Sequence, residues 1–144
     1  MKSVRTEIDI DAPKAQVWKV LCALDEWPSW NDVIRTMVAK PQLGGKVAFR
    51  IHIDGLPPLP FTARISEWEP EKALAWRGGP SGVFTGNHYF RLEPRGDDRT
   101  QLIHGEDFGG VLATLVMRKA ILHRLETTYD RLNRSIKKQV EFAY

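Results

Sequence analysis

The sequence predicts an α+β fold in which a curved antiparallel sheet of about seven strands packs against one long C-terminal helix. Three observations lead to this prediction: an alternating apolar pattern near the start, a central series of strand-like segments separated by short turns, and a final segment with helical spacing. Short connections favour antiparallel neighbours. Because 144 residues ordinarily support one hydrophobic core, we expect residues 1–144 to form a single domain.

The chain is expected to open with a strand and two short helices. Residues 4–10 alternate apolar and polar side chains, which is typical of a strand with one buried face. Pro13 suits the first turn of a helix, where its missing N–H needs no partner. The apolar side chains of this helix that share one stripe are Val17, Trp18, Leu21 and Leu24. Pro28 ends it, and a short second turn carrying Trp27 and Trp30 is predicted.

Six further strands are predicted between residues 34 and 108. Turn motifs such as Gly44-Gly45, "GLPPLP" and "PRGDD" separate them. The predicted strands span residues 34–40, 46–54, 60–69, 72–77, 83–93 and 99–108. A final helix over residues 111–140 follows, because its apolar residues recur at helical intervals. At 1.5 Å per residue this helix would extend about 45 Å.

Strand parity determines which side chains face the final helix. A slip of one residue would move a whole apolar set into water, so we assign the larger apolar set of each strand to the inner face. His88, His104 and Glu106 then share the inner face with Phe90 and Phe108. An inward carboxylate is costly unless it is protonated, paired or hydrated. These three polar side chains on an apolar face therefore predict a pocket.

The hairpin "EPRGDDR" determines how the three polar side chains meet. If Glu93 opposes Arg99, the two histidines face each other across the strands. If Glu93 opposes Gln101, His88 faces Glu106 instead. Either register leaves the three Cβ atoms within roughly 5 to 8 Å of one another.

Composition limits the classes of protein to which the chain can belong. The formal net charge of +3 comes from 21 basic and 18 acidic residues, which is too small a surplus to indicate a nucleic-acid partner. The single cysteine, Cys22, leaves no internal disulfide and suits a reducing compartment. No apolar run approaches the roughly 20 residues of a membrane span. We expect a cytoplasmic protein without stable membrane insertion, and the sequence leaves its oligomeric state open.

Three motifs resemble the START-like or SRPBCC superfamily, and most closely its polyketide cyclase/dehydrase-like branch. They are "APKAQVWKVL", "WPSWN" and the pattern GxHxFxLEPxGDxxTxLxHGExFxG at residues 86–110, and the resemblance covers residues 3–140. Asp32 stands where the family pattern often has proline. The resemblance implies a helix-grip fold with a hydrophobic cavity between the sheet and the long helix. Such cavities hold lipids, polyketides, quinones or hormones.

The first hypothesis is a protein that binds a small hydrophobic or aromatic ligand without a cofactor. The expected ligand-binding residues are Trp30, Phe49, Ile51, Trp76, His88, Phe90, His104, Glu106, Phe108, Leu112, Leu115, Val116, Lys119 and Leu122. In "WPSW" we expect one tryptophan, Trp30, to line the cavity and the other to cover its mouth.

Two other hypotheses stay open. In the first, His88, His104 and Glu106 act as acid and base in a cyclase or dehydratase. A metal site formed by the same residues is disfavoured, because no fourth ligand or spacing motif supports one. In the second, the chain is an interaction module that uses a basic outer sheet face. The basic residues of that face are Lys46, Arg50, Arg64, Arg77 and Arg91.

Overall fold

The computed structural model describes residues 2–142, so Met1, Ala143 and Tyr144 of the predicted domain lie outside the described residues. The predicted α+β fold is confirmed. Its elements are β1 (Lys2–Ile10), α1 (Lys14–Cys22), a 3₁₀ helix (Leu24–Ser29), β2 (Ile34–Ala39), β3 (Lys46–Ile51), β4 (Leu59–Glu69), β5 (Ala73–Gly78), β6 (Thr85–Pro94), β7 (Thr100–Gly109), α2 (Ala113–Val116) and α3 (Lys119–Phe142).

All seven strands belong to one antiparallel sheet with the order β1-β7-β6-β5-β4-β3-β2. Strands adjacent in sequence are therefore adjacent in space from β2 to β7, and only β1 joins from the far end of the chain. The helix α3 packs against β1, β7 and α1. This arrangement is the helix-grip fold, in which the inner face of the sheet and the last helix enclose the apolar core.

The inward stripe of α3 explains why the helix lies on the sheet. Its buried apolar residues recur every three or four positions, which keeps them on one side of the helix. They are Leu125, Tyr129, Leu132, Ile136 and Val140. Burying each of the four aliphatic side chains, Leu125, Leu132, Ile136 and Val140, stabilises the fold by about 1.5 to 3 kcal/mol. Two polar residues, Thr128 and Asn133, are buried on the same helix and need partners.

The predicted continuous helix over residues 111–140 is wrong in one respect, because the chain is interrupted after Val116. The backbone N–H groups of Val111 and Leu112 donate to the carbonyls of Gly82 and Val83, which fixes the segment before α2 to the β5–β6 loop. Met117 then leaves helical geometry with ψ 68°, and its side chain is buried. No glycine or proline marks this break, so periodicity alone predicted one helix.

A register shift in β4 changes which face its later side chains occupy. The pairing with β5 is irregular between Ile65 and Glu67, as in a β-bulge. Trp68 consequently points inward and packs edge-on against Trp18, with ring centroids 5.3 Å apart. The strand pattern assigned inward positions only as far as Ile65.

The "WPSWN" segment has a structural role that the sequence pattern did not predict. Trp27 is fully buried and its indole N–H donates to the carbonyl of Leu21. The side-chain oxygen of Asn31 accepts hydrogen bonds from the backbone N–H groups of Val33 and Ile34, while its side-chain amide donates to the main-chain carbonyl of Trp27. Asn31 therefore ties the 3₁₀ helix to the start of β2.

Candidate functional site

A cavity of about 380 Å³ lies between the sheet and the first half of α3. This volume falls within the range of small-molecule pockets. Its wall is mostly aliphatic and aromatic. The residues that line it are Phe49, Ile51, Ile53, Leu56, Leu59, Phe61, Thr62, Ala63, Trp76, Gly78, Gly79, Phe84, Gly86, His88, Glu106, Phe108, Val116, Met117, Ile121, Leu125 and Tyr129.

One part of this wall is polar, and the strand register assembles it. Glu93 opposes Gln101, so His88 of β6 lies directly opposite Glu106 of β7. The Nδ1 atom of His88 is 3.7 Å from Oε1 of Glu106. From α3, the hydroxyl of Tyr129 donates a short hydrogen bond to the same carboxyl oxygen.

Behind the cavity wall, a buried chain of hydrogen bonds continues into the core. The Nε2 atoms of His88 and His104 are 2.6 Å apart. On the other side of the second ring, Nδ1 of His104 is 2.7 Å from Oδ1 of Asn133. The Asn133 amide donates to Oγ1 of Thr6 at 2.8 Å, and the Thr6 hydroxyl donates to the main-chain oxygen of His104 at 2.7 Å. This network satisfies the polar groups that α3 and β1 bury.

Aromatic rings enclose both histidines. Phe90 stacks on His104 with centroids 4.3 Å apart, and the ring of Tyr129 lies 4.4 Å away on the same imidazole. The His88 ring lies 5.0 Å from the Trp76 ring and 4.8 Å from that of His104. The surroundings are therefore of low polarity, which disfavours the charged form of any group among them.

This burial shifts the protonation of the cluster. Burial lowers the pKa of His104 to about 3, against opposing hydrogen bonds from Asn133 and the Tyr129 backbone. Burial and the adjacent imidazole lower the pKa of His88 well below its ordinary value. Burial raises the pKa of Glu106 to about 7, while the hydrogen bond from Tyr129 lowers it. Near neutral pH the two imidazoles are therefore uncharged, and both the protonated and the ionised form of the Glu106 carboxyl are populated.

The structure places seven of the residues predicted from the sequence on the cavity wall. They are Phe49, Ile51, Trp76, His88, Glu106, Phe108 and Val116. Phe90 and His104 are completely buried one layer behind that wall. They contact the wall through the ring of His88, so they support the polar cluster without lining the cavity.

Five predicted residues lie away from the cavity wall. Trp30 packs on Trp27 with ring centroids 5.5 Å apart and borders a shallow surface pocket beside α3, so it does not line the cavity as expected. Trp27, expected to cover the cavity mouth, is buried in the core. Leu112, at the start of the short helix α2, and Leu115, within it, are exposed. The other two are on α3, where Lys119 is exposed at its first position and Leu122 packs against the core beside the cavity.

The prediction missed the residues that α3 and the loops contribute. Ile121, Leu125 and Tyr129 follow each other at intervals of four on the helix and face the cavity. Tyr129 is one of the residues that recur at helical intervals in the predicted final helix, and its hydroxyl was the available sign of a polar contact. Asn133 was a second sign, because it lies four positions further along the same inward face.

The basic residues of the predicted outer stripe are exposed on the opposite face of the sheet. The Arg91 guanidinium lies 4.9 Å from the centre of the Tyr89 ring, and Arg64 donates to the carbonyl of Gly44. Of the helices described over residues 2–142, none is long and apolar enough to cross a membrane.

Comparison with known proteins identifies relatives of the whole chain. The family described as "Polyketide cyclase / dehydrase and lipid transport" matches residues 1–141. No curated protein sequence matches the chain. Several solved structures share the fold at low sequence identity.

A START superfamily protein from Mycobacterium smegmatis is 16% identical with a TM-score of 0.80, covering 99% of both chains. The protein TTHA0849 from Thermus thermophilus is 17% identical with a TM-score of 0.79, also covering 99% of both chains. The Zhui aromatase/cyclase from Streptomyces sp. R1128 is 17% identical with a TM-score of 0.73, covering 97% of this chain and 93% of that one.

Proposed function

Since the chain belongs to the polyketide cyclase/dehydrase and lipid transport family, we propose that it binds a small hydrophobic or aromatic ligand in the cavity between the sheet and α3. The observation that carries this proposal is the composition of the cavity wall. Apolar side chains surround the space, and Glu106, His88 and Tyr129 form one polar patch. Apolar walls supply affinity, and a few polar groups orient the ligand.

A buried hydrogen-bond donor at the wall supports the same proposal. The indole N–H of Trp76 has no hydrogen-bond partner within residues 2–142, although the side chain is only 2% exposed. Leaving a buried donor unpaired costs about 1 to 3 kcal/mol, so an acceptor from a ligand would stabilise it. A lipid, polyketide or quinone-like molecule with an oxygen at one end fits both the apolar wall and this donor.

Binding of defined probes tests this function. We expect saturable binding of 1,4-naphthoquinone or dodecanoic acid, measured by quenching of tryptophan fluorescence and by native mass spectrometry. Ala63→Phe should abolish it because Ala63 lines the cavity. Ala48→Phe is the matched control, since Ala48 occupies the outer-facing position on the neighbouring strand β3. Absence of saturable binding, or equal losses in both variants, would overturn the proposal.

A second candidate is catalysis of the cyclase or dehydratase type, and the near-neutral pKa of Glu106 favours it. The carboxylate would take the α-proton of a bound ketone to leave an enolate, the resulting acid would exchange that proton for a deuteron of the D₂O solvent, and it would then deliver the deuteron to carbon. We expect the protein to accelerate exchange of the α-protons of 2-tetralone in D₂O, followed by NMR. Glu106→Gln and His88→Ala should abolish exchange. Unchanged exchange in both variants would exclude this role for the pair.

The ligand-binding role is proposed for residues 1–144 as one domain acting in the cytoplasm. The single cysteine of the chain suits a reducing compartment. Cell fractionation with antibody detection tests the location, and limited proteolysis tests the domain boundaries.

A further inference from the structure

The direction of hydrogen bonding in the buried chain follows from one backbone carbonyl. Thr6 has a single hydroxyl hydrogen, and it is donated to the main-chain oxygen of His104. The Thr6 oxygen can therefore only accept a hydrogen bond from Asn133. This fixes the orientation of the Asn133 amide, with its nitrogen toward Thr6 and its carbonyl oxygen toward His104.

The orientation of the amide determines the tautomer of both imidazoles. Because Oδ1 of Asn133 only accepts, Nδ1 of His104 must carry a hydrogen. A neutral His104 then has its lone pair on Nε2, which lies 2.6 Å from Nε2 of His88. That contact requires the hydrogen on the His88 side. A neutral His88 with its hydrogen on Nε2 has its lone pair on Nδ1, the atom that lies 3.7 Å from the Glu106 carboxyl.

We propose that Asn133 is a positioning residue, which acts through His104 to keep the Nδ1 lone pair of His88 free beside Glu106 at the cavity wall. The side chains of Thr6, His104 and Asn133 are all buried, which shields this arrangement from exchange with water. The inference rests on the proposed ligand-binding function, because it assigns His88 as a hydrogen-bond acceptor for the ligand.

The tautomers can be measured without any ligand. In protein labelled with ¹⁵N-histidine, two-bond ¹H–¹⁵N correlation spectra distinguish a protonated ring nitrogen from an unprotonated one. We expect His88 to be protonated only at Nε2 and His104 only at Nδ1. The opposite assignment for either ring would overturn the proposal.

Variants test whether Asn133 and Thr6 set these tautomers. Asn133→Leu removes the acceptor at Nδ1 of His104, and the isosteric Thr6→Val no longer fixes the orientation of the Asn133 amide. In both variants His88 should therefore become a mixture of the two tautomers. Thr6→Ser keeps the hydroxyl and should keep the wild-type spectrum. Unchanged tautomers in Asn133→Leu would show that Asn133 does not position His88. Circular dichroism identifies any variant that fails to fold. In that case the ¹H–¹⁵N correlation spectrum of the wild-type protein still shows which ring nitrogens carry hydrogens.

A matched pair of probes tests the consequence for binding. The compound 2-naphthol donates a hydrogen bond to an acceptor, whereas 2-methoxynaphthalene cannot. We expect the naphthol to bind about tenfold more tightly by isothermal titration calorimetry, as one added hydrogen bond allows. This ratio should fall in Thr6→Val and persist in Thr6→Ser. Equal binding of both probes would overturn this inference alone, and binding of neither would overturn it together with the proposed function.

Discussion

The hydroxyl of Tyr129 donates a hydrogen bond to Oε1 of Glu106, which connects the final helix α3 to strand β7 at the cavity wall. Two effects act on this carboxyl in opposite directions. Burial favours its neutral form, whereas the hydrogen bond from the hydroxyl favours the carboxylate. Their balance holds its pKa at about 7. The helix therefore tunes the proton affinity of a group that belongs to the sheet.

Removing this hydroxyl should raise the pKa of Glu106 above about 7. In Tyr129→Phe the carboxylate loses the donor that stabilises it, while burial remains. Titration of the ¹³C-labelled glutamate carboxyl by NMR measures the change. Tyr89→Phe on the outer face of the sheet is the control, because the Tyr89 ring lies beneath Arg91 and away from the cavity. A lower pKa in Tyr129→Phe would contradict this assignment.

The unfolding free energy of the protein should depend on pH through the same Glu106 carboxyl. Its pKa is about 7 in the folded chain against an ordinary value of 4.5, so the folded state binds more protons between these values. The contribution of Glu106 to stability is therefore present at low pH and is lost as pH rises through 7. Relative to Glu106→Gln, the wild type should lose about 2 to 3 kcal/mol of unfolding free energy between about pH 4.5 and about pH 8. Urea denaturation at each pH measures the difference, and a flat difference would contradict the prediction.

The two buried histidines act on stability in the opposite sense. Their pKa values are lowered on folding, so the unfolded chain binds more protons below its ordinary pKa of 6.5. Their contribution is present above that value and is lost as the solution becomes more acidic. Because both imidazoles are retained in Glu106→Gln, comparison of the two proteins isolates the carboxyl.

The sequence was most informative where the alternation of side chains along a strand determines which face of the sheet a residue occupies. Alternation on β6 and β7 put His88, Glu106 and Phe108 on one face, and the structure has them there. The register between these strands was open in the sequence, because the hairpin loop permits two pairings of equal parity. The local pattern also could not show how deeply each residue is buried. It therefore did not distinguish His104, which lies behind the cavity wall, from the residues that line the cavity.

Features that depend on contacts between distant segments were not predictable from local pattern. The position of α2 follows from backbone hydrogen bonds of Val111 and Leu112, just before the helix, to the β5–β6 loop, which no local motif encodes. The burial of Trp27 in the core and the place of Trp30 beside a surface pocket depend on how the 3₁₀ helix packs, and side-chain directions in a 3₁₀ helix differ from those in an α-helix. The contribution of Ile121 to the cavity depends on where α3 crosses the curved sheet.

Asn31 provides a test of the structural role assigned to the "WPSWN" segment. Its side-chain oxygen accepts two backbone hydrogen bonds at 2.9 and 2.7 Å. Asn31→Ala leaves these donors without that partner and should lower the unfolding free energy by about 1 to 3 kcal/mol. Asn31→Asp keeps the acceptor and should recover most of the loss. Chemical denaturation measures both, and equal destabilisation by the two changes would contradict the capping role.

Gly86 gives the carboxyl of Glu106 the space it occupies. A Cβ atom on Gly86 would lie 2.3 Å from Oε2 of Glu106, far inside van der Waals contact. Gly86→Ala should therefore displace the carboxyl, lower stability by about 1 to 3 kcal/mol and weaken binding of 2-naphthol. Gly109→Ala is the matched control on the neighbouring strand, because its closest contact there would be Thr85 at 3.1 Å.

A double-mutant cycle separates this clash from a general effect of the added methyl group. Glu106→Ala removes the atom that the new Cβ meets, so Gly86→Ala should cost less in that background than in the wild type. The coupling between the two changes should amount to about 1 kcal/mol or more, measured by urea denaturation at one pH. Additive effects would show that Gly86 does not make room for the carboxyl, since Phe108 is its next neighbour at 3.7 Å and is unchanged in every variant.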